Sequence, residues 1–69
     1  MMIETLDELG RLVKAYREGK GLTQKALAQA CPVKTNRSAV AHLEQGRRLP
    51  PPDVLDGLMT LLEMDPAYW

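Results

Sequence analysis

The sequence predicts an all-α fold, a compact bundle of four to five short helices forming one domain over residues 1–69. Its 69 residues suffice for a single core but not for an internal active-site cleft. With two Tyr, one Trp and no Phe, the core must come from Leu, Val, Ala and Met, which favours helices. Apolar residues also recur at three- and four-residue steps between capping signals, as amphipathic helices require.

The first helix is predicted to begin at Thr5, which forms a capping box with Glu8, and to stop at Gly19 and Gly21. Its inner stripe contains Leu6, Leu9, Val13 and Tyr16, with Gly10 and Arg17 beside it.

Thr23 caps a second helix over about residues 24–31, and Pro32 prevents its continuation. The expected inner face is Leu27 with Ala26 and Ala30.

Thr35 or Asn36 caps a third helix over about residues 36–45, and Gly46 suits its left-handed end. Val40 and Leu43 face inward. The opposite face carries Arg37, Ser38, Ala41, His42 and Gln45, because steps of one, three and four residues cluster on a helical surface.

Pro52-Asp53 suits the first turn of a fourth helix. Its buried residues are expected to be Val54, Leu55, Leu58, Leu61 and Leu62. Asp65-Pro66 resembles another cap and first turn, which is either a short fifth helix or the start of one that a longer chain completes.

The charges are strongly polarised although the formal net charge is zero. All nine Lys and Arg residues lie between positions 11 and 48, where only Glu18 and Glu44 oppose them. The flanks hold the remaining acids and no base. Such a basic segment is typical of a protein that binds the phosphates of nucleic acid. The alternative is a solvated face that keeps the domain soluble.

Composition excludes several classes of protein. Cys31 has no partner for a disulfide, and with His42 alone it lacks the ligands of a zinc site. We expect Cys31 to be a small buried apolar residue, with a redox switch as a remote second interpretation. No acid orients His42 beside Ser38, so we expect no enzyme, no catalytic residue, no metal and no cofactor. Met1-Met2-Ile3-Glu4 lacks signal-peptide bases, and no apolar run approaches ~20 residues. A cytoplasmic protein without a membrane partner is expected.

Two short helices joined by a turn, the second exposing polar residues, suggest a helix-turn-helix. The motifs of the chain form the series Leu9-Gly10, Val13, Tyr16-Arg17, Gly21-Leu22-Thr23-Gln24, Leu27-Ala28, Val40 and Leu43-Glu44-Gln45-Gly46. In this series the chain resembles the phage repressor and Cro type of helix-turn-helix, the family also named after the xenobiotic-response-element regulator. The likeness covers about residues 5–69. It implies a lambda repressor-like fold and double-stranded DNA as partner.

The resemblance also implies roles for individual residues. Gln24 matches a residue that touches a DNA phosphate; a plain helix-start residue is the alternative. Arg37, Ser38 and His42 fall where the recognition helix meets base edges. Arg37 can bond a guanine, worth roughly 1–3 kcal/mol of discrimination, or contact phosphate only, and His42 can be an ordinary surface residue. The expected backbone contacts are Lys34, Asn36, Gln45, Arg47 and Arg48.

Arg17 and Glu44 match a structural pair that ties helix 1 to helix 3. The turn before helix 3 departs from the family, because it is about two residues longer than the usual pattern. Cys31-Pro32 stands where the compact turn has a hydrophobic residue and Gly. Because the turn is longer, helix 3 can begin later than the family pattern implies, which would shift the positions of Arg37 and Ser38 relative to that pattern.

The sequence therefore predicts a sequence-specific regulator of transcription, a repressor that binds a partly palindromic operator as a homodimer, with half-sites roughly 34 Å apart. The resemblance implies pairing through the C-terminal part of the domain, here Met64, Tyr68 and Trp69, although the two aromatics can instead fold back onto the fourth helix. The alternatives are an antitoxin-like or other protein-interaction module with secondary DNA binding, and the N-terminal domain of a longer regulator.

Overall fold

A computed structural model describes residues 5–64, which form four α-helices and no strand. The helices are α1 (Leu6–Gly19), α2 (Gln24–Ala30), α3 (Arg37–Glu44) and α4 (Pro52–Leu61). The predicted all-α bundle is confirmed. The segment from Asp65, where a fifth helix was predicted, lies outside the described residues. None of the four helices is long and apolar enough to cross a membrane.

Side-chain caps begin three of the helices. Thr5, Thr23 and Asn36 are each in extended conformation, and the side-chain oxygen of each accepts the backbone N–H three positions on, at 3.1, 3.0 and 2.9 Å respectively. Of the two cap candidates for α3, the structure uses Asn36. The fourth helix begins with Pro52, whose ring fixes a helical φ and whose missing N–H would have had no partner there.

Left-handed residues end three helices. Gly21 after α1 and Gly46 after α3 have φ values of +72° and +71°, which glycine adopts without steric cost. Glu63, two positions after the end of α4, has φ +56°, although a side chain disfavours this conformation by roughly 1–2 kcal/mol. Glu63 pairs with Lys20, and this neighbour lowers the pKa of the Glu63 carboxyl. The ion pair connects the end of α4 to the end of α1.

A single apolar core lies between the helices. The second helix contacts both α3 and α4, so its buried arc extends from Leu27 to Ala28. The prediction that Ala30 would face inward is wrong, because Ala30 lies on the exposed side of this short helix. The core consists of Leu9, Val13, Leu27, Ala28, Val40, Leu43, Val54, Leu58, Met59, Leu62 and Met64.

The first and third helices approach each other most closely at Gly10. A Cβ atom at this position would lie 2.2 Å from the carbonyl oxygen of Leu43 and 2.9 Å from that of Glu44. These are backbone atoms, which cannot swing aside as the end of a side chain can. Glycine is therefore required here, and it brings the end of α3 directly onto α1.

The long turn between α2 and α3 rests on α4. A Cβ atom at Gly57 would lie 3.1 Å from the Cys31 Sγ atom and 3.3 Å from the Pro32 ring. Cys31 is extended, as the residue before a proline usually is. Its thiol is free and only partly buried, which corrects the expectation of a buried residue: the turn lies on the surface of α4, at the edge of the core.

The close approach at Gly10 makes a stability prediction. We expect Gly10→Ala to lower the free energy of unfolding by about 1–3 kcal/mol or more, since the added methyl group overlaps backbone oxygens. The matched control is Gly19→Ala, because a Cβ atom there would meet nothing within 4 Å; it should be neutral or stabilise by up to about 1 kcal/mol. Urea denaturation followed by circular dichroism measures both. Equal stability of the two variants would contradict the close approach.

Candidate nucleic-acid interface

The outward face of α3 is polar and exposed. A helix turns about 100° per residue, so the buried positions 40, 43 and 44 leave Ser38, His42 and Gln45 on the opposite side. Ala41 lies among them and is half-buried. Short polar side chains beside small residues let a helix approach base edges closely in the major groove of DNA.

A buried ion pair joins the inward face of α3 to α1. The Arg17 Nε–H group donates to Glu44 Oε2 with an N-to-O distance of 2.6 Å, and Nη2 donates to Oε1 at 3.1 Å. This bidentate geometry is among the strongest that side chains form. The third nitrogen, Nη1, donates to the carbonyl oxygen of Leu22 at 2.7 Å. Only 9% of Arg17 and 8% of Glu44 are exposed, and the hydrogen bond to Glu44 raises the pKa of Arg17.

Gln24 joins the same network. Its Nε2 group donates to Glu44 Oε1 at 3.1 Å, so the start of α2 is tied to the end of α3. The sequence did not predict this bond. It uses one of the two amide hydrogens of a half-buried side chain, and the phosphate contact assigned to Gln24 stays a prediction. Among residues 5–64, no buried side-chain nitrogen or oxygen lacks a partner.

The basic residues divide into paired and unpaired groups. Three ion pairs are present within residues 5–64: Arg11–Asp7, Arg17–Glu44 and Lys20–Glu63. The remaining bases have no carboxylate partner in that part of the chain. They are Lys14, Lys25, Lys34, Arg37, Arg47 and Arg48. All but Lys14 lie on α3, in the segments directly before and after it, or on α2 beside it, so the unpaired positive charge is concentrated around α3.

Two grooves adjoin α3 and share Asn36 at its start. The first, which we call the α3–loop groove, has a volume of about 290 Å³ and brings Ser38 and His42 together with Arg48, beside Pro50. The second, the α2–α3 groove, has a volume of about 450 Å³ and is lined by Lys25, Ala28, Gln29, Thr35, Asn36 and Arg37.

The grooves separate the predicted base readers. Ser38 and His42 line the α3–loop groove, whereas Arg37 lines the α2–α3 groove. Asn36 uses its Oδ1 atom to cap α3, which leaves its amide nitrogen to donate at either groove.

The remaining residues predicted to contact DNA or a second chain differ in their exposure to solvent. Lys34, Gln45 and Arg47 are exposed but line neither groove. Met64, a predicted dimer contact, is only 5% exposed, so its side chain packs into the core of its own chain. Tyr68 and Trp69 lie outside the described residues.

Sequence reasoning missed Lys25 and Gln29 as members of the surface. Both occupy the outer side of α2, four positions apart, and are exposed. The spacing of four residues could have indicated this, because it places the Lys25 ammonium and the Gln29 amide on one face of the helix. Their position opposite Arg37 depends on how α2 packs against α3.

The comparison with known families agrees with this geometry. A family model described as a helix-turn-helix domain matches residues 8–68, a range that contains α2, the turn and α3. No curated protein matches the chain.

The buried network makes a second stability prediction. We expect Glu44→Ala to lower the free energy of unfolding by about 3–5 kcal/mol, because Arg17 is left buried without its counter-charge. The exposed pair offers the control: Arg11→Ala should cost less than about 1 kcal/mol, since the Arg11 side chain is 76% exposed.

Chemical denaturation of the two variants and of the double variant Arg17→Met/Glu44→Leu tests this account. The double variant should regain much of the lost stability, because it removes both charges together. A Glu44→Ala protein as stable as Arg11→Ala would show that the network does not hold α3.

Proposed function

This chain belongs to the helix-turn-helix domain family, and from that premise we propose that it is a sequence-specific double-stranded DNA-binding regulator of transcription. The observation that carries the proposal is the exposed polar face of α3, surrounded by bases that no carboxylate in residues 5–64 neutralises. Such a face suits a helix that enters the major groove.

Ser38 and His42 are the proposed base readers. Both are exposed and share the α3–loop groove. The Ser38 hydroxyl both donates and accepts hydrogen bonds, and the two ring nitrogens of His42 also form hydrogen bonds, so each side chain suits the polar edges of base pairs. Between them on α3, Val40 is buried and the other two residues, Ala39 and Ala41, are small.

The loop after α3 supplies backbone contacts in this proposal. The Arg47 N–H group donates to the His42 carbonyl oxygen at 2.9 Å, which closes the end of the helix and turns the chain back. Arg48 then lies beside His42 in the α3–loop groove. An arginine next to a base reader suits a flanking phosphate, because its planar guanidinium matches phosphate oxygens and fixes the register of α3.

Acidic residues restrict contact to one side of the molecule. The fourth helix carries Asp53 and Asp56 and no base. Repulsion from phosphates disfavours any orientation in which α4 faces DNA. The net charge of zero is thus compatible with DNA binding through α3.

We extend the proposal to a repressor of the phage repressor and Cro type that acts in the cytoplasm as a homodimer on a partly palindromic operator. Support comes from the quoted motif series and from size: each chain presents one short recognition helix with few base readers. A two-fold pair would place two α3 helices in successive major grooves, roughly 34 Å apart, and would increase the number of contacts.

Selection from a randomised duplex pool tests the function directly. Fluorescence anisotropy at several salt concentrations gives the affinity, and sequencing of the bound fraction gives the preferred motif. We expect binding that weakens with salt and a two-fold-symmetric motif. In Ser38→Ala and His42→Ala, the preference at individual base pairs should fall by roughly 1–3 kcal/mol each.

The control variant is Lys14→Ala, an exposed base on α1, which should keep the motif. Salt-sensitive binding without an enriched motif would reduce the function to non-specific association. Absence of binding at low salt would refute the proposal.

A further inference from the structure

The α2–α3 groove presents one positive charge on each wall. Lys25 extends from α2 and Arg37 from the first position of α3, and Gln29, Thr35 and Asn36 complete the lining with neutral polar groups. No carboxylate lines the groove, and neither base has an ion-pair partner within residues 5–64. The groove is therefore an uncompensated cationic site.

The long turn explains why the groove is open. Cys31 and Pro32 pack against Gly57 of α4, so this part of the turn lies away from the gap between α2 and α3. The chain then returns through Thr35 and Asn36, which line the groove.

We propose that the α2–α3 groove binds a phosphate of the DNA backbone, with Lys25 and Arg37 as its two cationic contacts. The inference rests on the proposed function and refines it. An ammonium and a guanidinium on opposite walls surround a phosphate better than a flat base edge. The Thr35 hydroxyl and the Asn36 amide supply further donors.

Arg37 is accordingly a phosphate contact rather than a guanine reader. Around the axis of α3 it is rotated by about 100° from Ser38 and about 140° from His42, and it lines a different groove. Base discrimination then falls to Ser38 and His42, while Lys25 and Arg37 add affinity for any sequence.

The dependence of affinity on salt separates the two roles of Arg37. Each phosphate contact contributes about 0.9 to the slope of log K against log salt concentration. We expect Lys25→Ala and Arg37→Ala each to reduce the slope by about 0.9 per bound protomer. Both should weaken binding to the selected duplex and to a random duplex by the same factor.

Two further variants serve as controls. Arg37→Lys keeps the charge and should retain the slope and the sequence preference, whereas a guanine reader would lose its bidentate bond. Lys14→Ala removes an exposed base of α1, outside both grooves, and should leave the slope unchanged.

Distinct outcomes would overturn the inference. If Arg37→Ala and Arg37→Lys both lose the preference for one base pair at an unchanged slope, Arg37 reads a base. If Lys25→Ala keeps the slope as Lys14→Ala does, the groove holds no phosphate, although DNA binding by the wild-type protein stands. Wild-type protein that fails to bind duplex DNA at low salt would refute both the proposed function and this inference.

Discussion

The Glu44 carboxylate accepts three hydrogen bonds from two other helices, two from Arg17 of α1 and one from Gln24 of α2. Apolar packing has no preferred direction, whereas these bonds have short distances and defined angles, so they fix the rotation of α3 about its own axis. With Glu44 turned inward, Ser38 and His42 must face outward. Burying two charges is costly, and the complete set of partners offsets that cost. The exposed surface of α3 thus depends on a network on its hidden side.

Two close contacts at glycines complete the placement of the helix-turn-helix. At Gly10 the end of α3 lies against α1, and at Gly57 the long turn lies against α4. The basic residues fall into a structural group and a surface group. Bases that tie α1 to other elements have carboxylate partners, whereas the bases around α3 have none within residues 5–64. A chain of zero net charge can in this way present a positive surface on one side.

Much of the fold could be predicted from local patterns in the sequence. The caps at Thr5 and Thr23 were predictable because the donor lies three residues from the acceptor, and the all-α class followed from composition and periodicity. The face of α2 was not predictable, since seven residues are too few for a periodic pattern to separate Ala28 from Ala30. The Gln24–Glu44 bond, the contact at Gly10 and the position of Lys25 opposite Arg37 join residues distant in sequence. They arise from helix packing, which no local pattern encodes.

The central claim is that DNA meets the face of α3 that the Glu44 network turns outward. Titration of ¹⁵N-labelled protein with the selected duplex, followed by amide chemical shifts, tests this claim most directly. The account predicts that the largest changes occur at Ser38, His42 and Arg48, with little change at Ala15 and at Asp56 of α4. Changes concentrated on α1 and α4, with the α3 face unaffected, would contradict it.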